Sequence, residues 1–268
     1  MFDRRQFLAT AGVATAGVAT AGLGLLPGRR ARAAGEDSKV GIAILRHGTG
    51  FDRRPNAVEQ LMWETSKRTS IDVREAPVLV DAEHDELFRH PLIAWIGAGP
   101  SEPLPSAAVE HLGRYLRAGG TLFIDDASPP GDDRFDGCVR REVARLLPGN
   151  PLVPVGNDHT IYRTFFLLQR PFGRIDRADD LEGVQFDDRS PVLYGRNDLF
   201  GAFGRDRLGN WLMPVVPGGA GQREMAFRVG INLVMYATCL NYKRDQVHTT
   251  AILRRRRWRV DPPARENR

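Results

Sequence analysis

The alternation of strand-like and helix-like segments predicts an α/β fold, a three-layer sandwich with a mostly parallel central sheet. Short, continuous apolar runs, typical of buried strands, occur at Lys39–Leu45, Ala76–Val80 and Leu92–Ile96. Segments with apolar residues at helical spacing follow such runs, and the joints are short. A strand, a helix and a second strand joined in this way form a parallel crossover, so helices are expected on both faces of the sheet.

Two helices are predicted in the first half of the chain. Four residues after Pro55 fall at i, i+3, i+4 and i+7 of one helical face: Val58, Leu61, Met62 and Thr65. A second helix is expected to have Ser106 as its N-cap and to stop at Gly119-Gly120.

The second half continues the alternation and then changes character. A strand at Thr121–Ile124 ends in Asp125-Asp126, and a helical face follows over residues 139–147. The remaining predicted elements are a strand at Leu152–Val155, a loop-rich insertion over residues 156–190, a strand at Ser190–Gly195 and a largely buried helix at Glu224–Leu240.

The first 33 residues resemble a twin-arginine (Tat) export signal. Arg4 and Arg5 precede an apolar run, Ala9–Leu26, and Ala31-Arg32-Ala33 supplies the small-x-small pattern that a signal peptidase reads. A membrane-spanning helix is the disfavoured alternative, because the run is short and rich in Ala, Gly and Thr. We expect the Tat translocase, a transient partner, to carry the folded protein to the periplasm or cell envelope, where the signal is either cleaved or retained as an anchor.

The sequence predicts three regions: the signal (1–33), a single α/β domain (34–253) and a basic, disordered tail (254–268). Their charges differ. The body from 34 to 242 carries 24 basic and 29 acidic residues, whereas residues 243–268 carry nine basic and three acidic ones. A mildly acidic body argues against nucleic-acid binding. Four tail residues, Arg254, Arg255, Arg256 and Arg257, provide either a peripheral contact with an anionic membrane surface or an ordinary solvated end.

The chain has two cysteines, Cys138 and Cys239. They could pair in an oxidising compartment, although Cys239 lies in an apolar segment where a buried free thiol is the commoner outcome. Cys138 lies near the start of a predicted helix, whose dipole could activate a thiol. It does not follow a strand directly, so no sharp nucleophile elbow is predicted.

Polar residues follow several predicted strands, and ligands of parallel sheets bind at these carboxyl ends. The candidates for metal binding or acid/base chemistry are Asp125, Asp126 and His159. In the alternative interpretation the two aspartates cap a turn and accept hydrogen bonds from loop amides, and the histidine packs at the rim.

Two further strand ends predict a ligand-binding site formed by His47, Gly97, Ala98 and Gly99. A glycine-rich turn lets the backbone approach a ligand, but it is equally typical of a tight strand-to-loop turn. Ser101 and Ser128 also follow strands, and without a G-x-S-x-G context they are expected to be turn residues.

Several segments in order resemble the bacterial family numbered 4159 among the domains of unknown function. The segments are Phe88–Ile96, Leu116–Asp126, Asp158–Tyr162, Arg228–Ala237 and Asn241–His248. The resemblance implies a fold similar to the class I glutamine amidotransferase-like, flavodoxin-like domains. Those enzymes place a cysteine in an elbow after a strand, and the corresponding turn, Gly97–Gly99, has none. Glutaminase activity is therefore not expected.

These observations favour an exported, non-catalytic amidotransferase-like domain that binds a small polar or carbohydrate-like ligand in the cell envelope. One alternative is a metal-assisted hydrolase that uses Asp125, Asp126 and His159 around a bound water. Another is an envelope assembly or scaffold protein that docks through its acidic body or basic tail. The sequence indicates no particular cofactor.

Overall fold

The computed structural model describes residues 39–48, 51 and 54–255, and for residues 239–255 it describes the backbone helix alone. Four residues of the predicted signal, Arg4, Arg5, Ala31 and Ala33, therefore lie outside the described residues, as do Arg256 and Arg257.

A mostly parallel sheet of seven strands forms the centre of the domain, as the alternation of patterns predicted. The strands are β1 (Ile42–Leu45), β2 (Val78–Val80), β3 (Leu92–Gly97), β4 (Thr121–Asp126), β5 (Leu152–Val155), β6 (Leu181–Phe186) and β7 (Arg189–Gly195). Their order is β2-β1-β3-β4-β7-β6-β5, and β6 pairs antiparallel with both of its neighbours.

Helices cover both faces of this sheet. They are α1 (Ala57–Arg68), α2 (Ser106–Arg117), α3 (Arg134–Leu146) and α4 (Gly219–Arg255). One apolar cluster joins α1 and α4 to one face of the sheet, and a second joins α2 and α3 to the other. The central strands β3 and β4 are buried along their whole length, which explains why they are continuous apolar runs until β4 reaches its two aspartates.

The strand order creates a topological switch point between β1 and β3. From β1 the chain passes to β2 on one side, whereas β3 and β4 lie on the other side. The connections after β1 and β3 therefore diverge and leave a crevice between their carboxyl ends, the usual ligand position in open α/β sheets.

One predicted detail is wrong and another is incomplete. Ser106 is the first helical residue of α2 and not its N-cap, because the carbonyl of Pro105 accepts the first intrahelical hydrogen bond, from Val109 N at 3.0 Å. The insertion over residues 156–190 contains strand β6, which lies between β5 and β7.

Helix α4 is longer than the predicted segment Glu224–Leu240 and runs from Gly219 to Arg255. Its buried Asn232 holds the segment that follows β5: its side-chain oxygen accepts hydrogen bonds from Phe165 N and Phe166 N, and its amide donates to Ile161 O and Phe166 O. Among the described residues no helix is long and apolar enough to span a bilayer.

Candidate functional site

The predicted ligand-binding residues lie at the switch point. His47 follows β1 directly, and Gly97, Ala98 and Gly99 form the end of β3 and the turn after it. Since β1 and β3 are neighbouring parallel strands, these two carboxyl ends face the same crevice. We call the site formed by His47, Trp95, residues 97–99 and Ser101 the β1/β3 site.

The imidazole of His47 is held at the β1/β3 site by its neighbours. Its ring lies 5.3 Å from the ring of Trp95, centroid to centroid. Burial lowers the pKa of His47, while the Glu142 carboxylate and a hydrogen bond to the Glu102 backbone act in the opposite direction. His47 is therefore neutral at pH 7, and its Nε2 is buried without a hydrogen-bond partner among the residues described.

Two further polar atoms at this site lack partners within the described part of the chain. They are the indole Nε1 of Trp95, a residue with no exposed surface, and the hydroxyl Oγ of Ser101. A buried polar group without a hydrogen bond costs about 1–3 kcal/mol, so such atoms normally face water or a ligand. Three of them at the neighbouring ends of β1 and β3 indicate a place built for hydrogen bonding.

The glycines of the turn serve different purposes. At Gly97 a methyl group would lie 2.0 Å from the ring of Phe135, so this position is needed for packing. Gly99 has a φ of 69° and nothing within 4 Å of its would-be side chain, and its N–H donates to Ser128 Oγ at 3.3 Å. The turn therefore has an open side at Gly99, where a ligand can approach the backbone.

Helix α3 holds Ser101 by its backbone. Ser101 N donates to the sulfur of Cys138 at 3.3 Å, and the Arg141 guanidinium donates to Ser101 O at 2.9 Å. Arg141 also pairs with Glu142, which is fully buried and receives a second ion pair from Arg145. Cys138 is a buried free thiol, and the side chain of Cys239 lies outside the described part of the structure. The Cys138 sulfur positions the loop.

Replacing Cys138 by alanine should loosen this loop. The change removes a hydrogen-bond acceptor of Ser101 N and leaves a small cavity, so we expect the free energy of unfolding to fall by roughly 1 kcal/mol. Hydrogen exchange of the Ser101 amide should become faster. Cys138→Ser keeps an acceptor and should lie between the alanine variant and the parent. An unchanged exchange rate in Cys138→Ala would show that the thiol does not hold the loop.

The carboxylate of Asp125 is committed to a turn. It accepts hydrogen bonds from Leu199 N at 2.8 Å and Phe200 N at 2.9 Å, at the start of the 3-10 turn Phe200–Ala202. Burial raises the pKa of Asp125, and the nearby Asp198 carboxylate raises it further, to about 8. These contacts agree with the structural alternative for this residue, a turn cap.

Asp198 is the most heavily paired carboxylate near the sheet edge. It is fully buried with a φ of 51°, and it accepts two hydrogen bonds from Arg54, at 2.7 and 2.8 Å. Arg174 donates a further, short bond, and Gly201 N donates at 3.2 Å. Arg54 also donates to Ala127 O, so the pair ties the segment before α1 to the ends of β4 and β7.

Asp126 is held in a second, separate ion-pair network. It accepts from Ser128 N at 2.9 Å and from Arg177 at 3.0 Å, and the Tyr194 hydroxyl lies 3.4 Å away. Burial and the Asp126 charge raise the pKa of Tyr194 above its ordinary value. Arg177 also pairs with Asp133. The carboxylate of Asp126, like that of Asp125, is thus engaged in contacts within the protein.

His159 lies elsewhere on the sheet. Its Nδ1 accepts from Ile161 N, and its Nε2 lies 3.2 Å from Ser190 Oγ at the beginning of β7. Asp125 is in register with Gly195 at the other end of β7, roughly 16 Å from Ser190 at the rise of an extended strand. The structure therefore does not bring His159 to Asp125 and Asp126. In the described part of the chain, no group of three or more His, Cys, Asp or Glu residues is arranged to hold a metal ion.

A family described as a domain of unknown function (DUF4159) matches residues 41–238. This match covers nearly the whole described domain, including every strand and the β1/β3 site. The chain belongs to the DUF4159 family. Comparison with curated proteins gives no significant match.

Sequence reasoning missed several important residues of this DUF4159 domain. The sequence predicts only that Trp95 belongs to an apolar strand, yet its indole N–H is one of the unpartnered atoms. The guanidinium groups of Arg54, Arg174 and Arg177 come from loops distant in sequence, and no spacing pattern links them to Asp126 or Asp198.

A groove of about 480 Å³ also lies outside every sequence prediction. It is lined by Glu59, Gln60, Trp63, Glu75, Ala76 and Arg205. None of these residues follows β1 or β3, so the groove is separate from the β1/β3 site.

Proposed function

We propose that this DUF4159 protein is an exported domain that binds a small polar ligand at the β1/β3 site and does not carry out the amidotransferase reaction. The observation that carries the proposal is that Trp95 Nε1, His47 Nε2 and Ser101 Oγ, each buried and without a partner among the described residues, all belong to residues at or next to the ends of β1 and β3, beside the topological switch point. A ligand at that point would satisfy all three.

The arrangement of the neighbouring residues supports binding over glutaminase chemistry. The turn after β3 has no cysteine, and the thiol of Cys138, on α3, is engaged by the Ser101 backbone. Asp125 and Asp126, the acid/base candidates, are buried in turn and ion-pair contacts. The same contacts give the metal-assisted hydrolase no support.

A ligand screen with a matched variant tests this function. The full-length protein and its His47→Ala/Ser101→Ala variant are compared in thermal-shift measurements against a panel of small neutral and charged polar compounds. We expect compounds that raise the Tm of the parent by several degrees and leave the Tm of the variant unchanged; a ligand at 100 times its Kd adds about 2.7 kcal/mol of stability.

The screen has a control variant on the same edge of the domain, Ser106→Ala, which changes an exposed hydroxyl at the start of α2. It should respond to ligands like the parent. The proposal fails if no compound stabilises the parent, or if stabilising compounds act equally on the His47→Ala/Ser101→Ala variant.

Export by the Tat pathway belongs to the same proposal and rests on the amino-terminal sequence. Replacing Arg4 and Arg5 together by lysine keeps the charge but removes the paired arginines that the translocase reads. Cell fractionation should then find the variant in the cytoplasm and the parent in the periplasm or envelope. Equal export of both proteins would contradict the proposal. In the envelope, Arg254–Arg257 would add a salt-sensitive contact with anionic lipid.

A further inference from the structure

The three unpartnered atoms of the β1/β3 site differ in what they offer a ligand. The indole Nε1–H of Trp95 can only donate a hydrogen bond, and the Ser101 hydroxyl can donate and accept. The role of His47 Nε2 depends on which ring nitrogen carries the proton.

The neighbours of His47 decide its tautomer. The imidazole makes a hydrogen bond with the Glu102 backbone, and a backbone carbonyl only accepts. Since Nε2 has no partner in the described residues, Nδ1 is the nitrogen that donates. The neutral ring therefore presents the lone pair of Nε2 to the site, so His47 acts as an acceptor.

The charges around the site also distinguish ligands. The Arg141 guanidinium lies close by, but it is bonded to Glu142 and to Ser101 O, and the Arg145 guanidinium is paired with Glu142. Neither of these two guanidinium groups is thus left to balance an anion beside the lone pair of His47. A carboxylate would face that lone pair with acceptor oxygens only, and the desolvation of a carboxylate or a phosphate would be uncompensated.

We infer that the ligand group bound at the β1/β3 site is an uncharged hydroxyl, as in a polyol or sugar, which donates to His47 Nε2 and accepts from Trp95 Nε1. Ser101 Oγ completes the set as donor or acceptor to a neighbouring hydroxyl. This inference rests on the proposed ligand-binding function and adds the chemical class of the ligand.

Matched pairs of compounds test the inference by NMR of the indole N–H signals at pH 8. Glycerol and glucose are compared with glycerate and glucuronate, in which a carboxylate replaces a terminal hydroxymethyl group, and with inorganic phosphate. We expect the Trp95 signal to shift saturably as the neutral compounds are added. The anions should bind at least about tenfold more weakly, since an unmatched acceptor costs about 1–3 kcal/mol.

Variants establish that the signal reports this site. Ser101→Ala should weaken glycerol and glucose binding severalfold, and Ser106→Ala should leave it unchanged. Trp95→Phe assigns the signal; if that variant does not fold, Trp63→Phe, Trp211→Phe and Trp258→Phe assign it by elimination, since the chain has four tryptophans.

The outcomes separate this inference from the function on which it rests. Equal or tighter binding of phosphate overturns the hydroxyl assignment and leaves a ligand-binding site for anions. Equal or tighter binding of glycerate or glucuronate, which keep hydroxyls of their own, overturns the inferred discrimination against charged ligands. If none of the five compounds moves the Trp95 signal, the hydroxyl assignment is overturned as well, and the thermal-shift screen then decides the ligand-binding function by itself.

Discussion

Replacing Arg54 by leucine should lower the free energy of unfolding by about 3–5 kcal/mol, because it leaves a buried carboxylate without its main partner. Arg54 and Asp198 have side chains that are 7% and 0% exposed, and the guanidinium makes two hydrogen bonds to the carboxylate. After the change, Arg174 is the remaining one of the two arginines that pair with Asp198 in the described structure. The free energy is measured by urea unfolding with circular dichroism.

An exposed pair provides the control. Arg46 and Asp81 lie 3.5 Å apart with side chains 50% and 38% exposed, so solvent screens their attraction. Arg46→Leu should therefore change the free energy of unfolding by about 1 kcal/mol or less. If Arg54→Leu were as mild as this control, the Asp198 network would not hold the edge of the sheet together.

The sequence predicted the parallel part of the sheet because those strands are buried on both faces. Residues 92–96 and 121–124, for example, are continuous apolar runs bounded by turn residues. Strand β6 has no such run: it reads Leu-Glu-Gly-Val-Gln-Phe. Glu182 pairs with Arg140 of α3, Gln185 is exposed, and Gly183 packs against Val155. The sequence of β6 therefore predicts a loop. Its pairing partners, β5 and β7, determine its structure.

The part of the candidate site that is formed by strand ends could be predicted from the sequence. His47 and Gly97–Gly99 follow apolar runs, and a parallel sheet brings the ends of neighbouring strands together. The contribution of Trp95 was not predictable, because an apolar strand pattern does not show whether an indole N–H finds a partner.

The chemical interpretation of Asp125, Asp126 and His159 depended on contacts that the sequence does not contain. Asp125 and Asp126 follow a strand as catalytic carboxylates would, but their partners are distant loop amides and arginines. His159 belongs to a segment that returns across the sheet to Ser190. Because all three residues follow strands, the sequence predicts that they lie at one edge of the sheet. The loops that follow those strands determine where their side chains lie.

Replacing Asp125 by asparagine should change how stability depends on pH. Burial, followed by the charge of Asp198, raises the pKa of Asp125 from the ordinary 3.8 to about 8 in the folded protein. Between these values the folded state keeps a proton that the unfolded state has released. Stability therefore falls as pH rises through this window, by up to about 1.4 kcal/mol per pH unit.

The asparagine variant carries no such proton, so its free energy of unfolding relative to the parent should rise steadily between pH 5 and 8. Leu199 N and Phe200 N each donate to one oxygen of the Asp125 carboxylate. Asparagine has one acceptor oxygen, and its amide NH2 group only donates, so one of these two hydrogen bonds is lost. That loss is independent of pH and shifts the whole curve downward. The free energy of unfolding of each protein is obtained from urea unfolding at each pH. The slope against pH of the difference between variant and parent tests the prediction.

Asp132→Asn is the matched control. The side chain of Asp132 is partly buried, and its hydrogen bonds with Arg134 lower its pKa to about 2, so it is ionised in both states from pH 5 to 8. Its stabilising contribution is present above the unfolded pKa and is lost as pH falls through the folded one, so its difference curve should be flat from pH 5 to 8. A flat curve for Asp125→Asn as well would mean that Asp125 is ionised in the folded protein, with the Arg54 charge compensating two buried carboxylates.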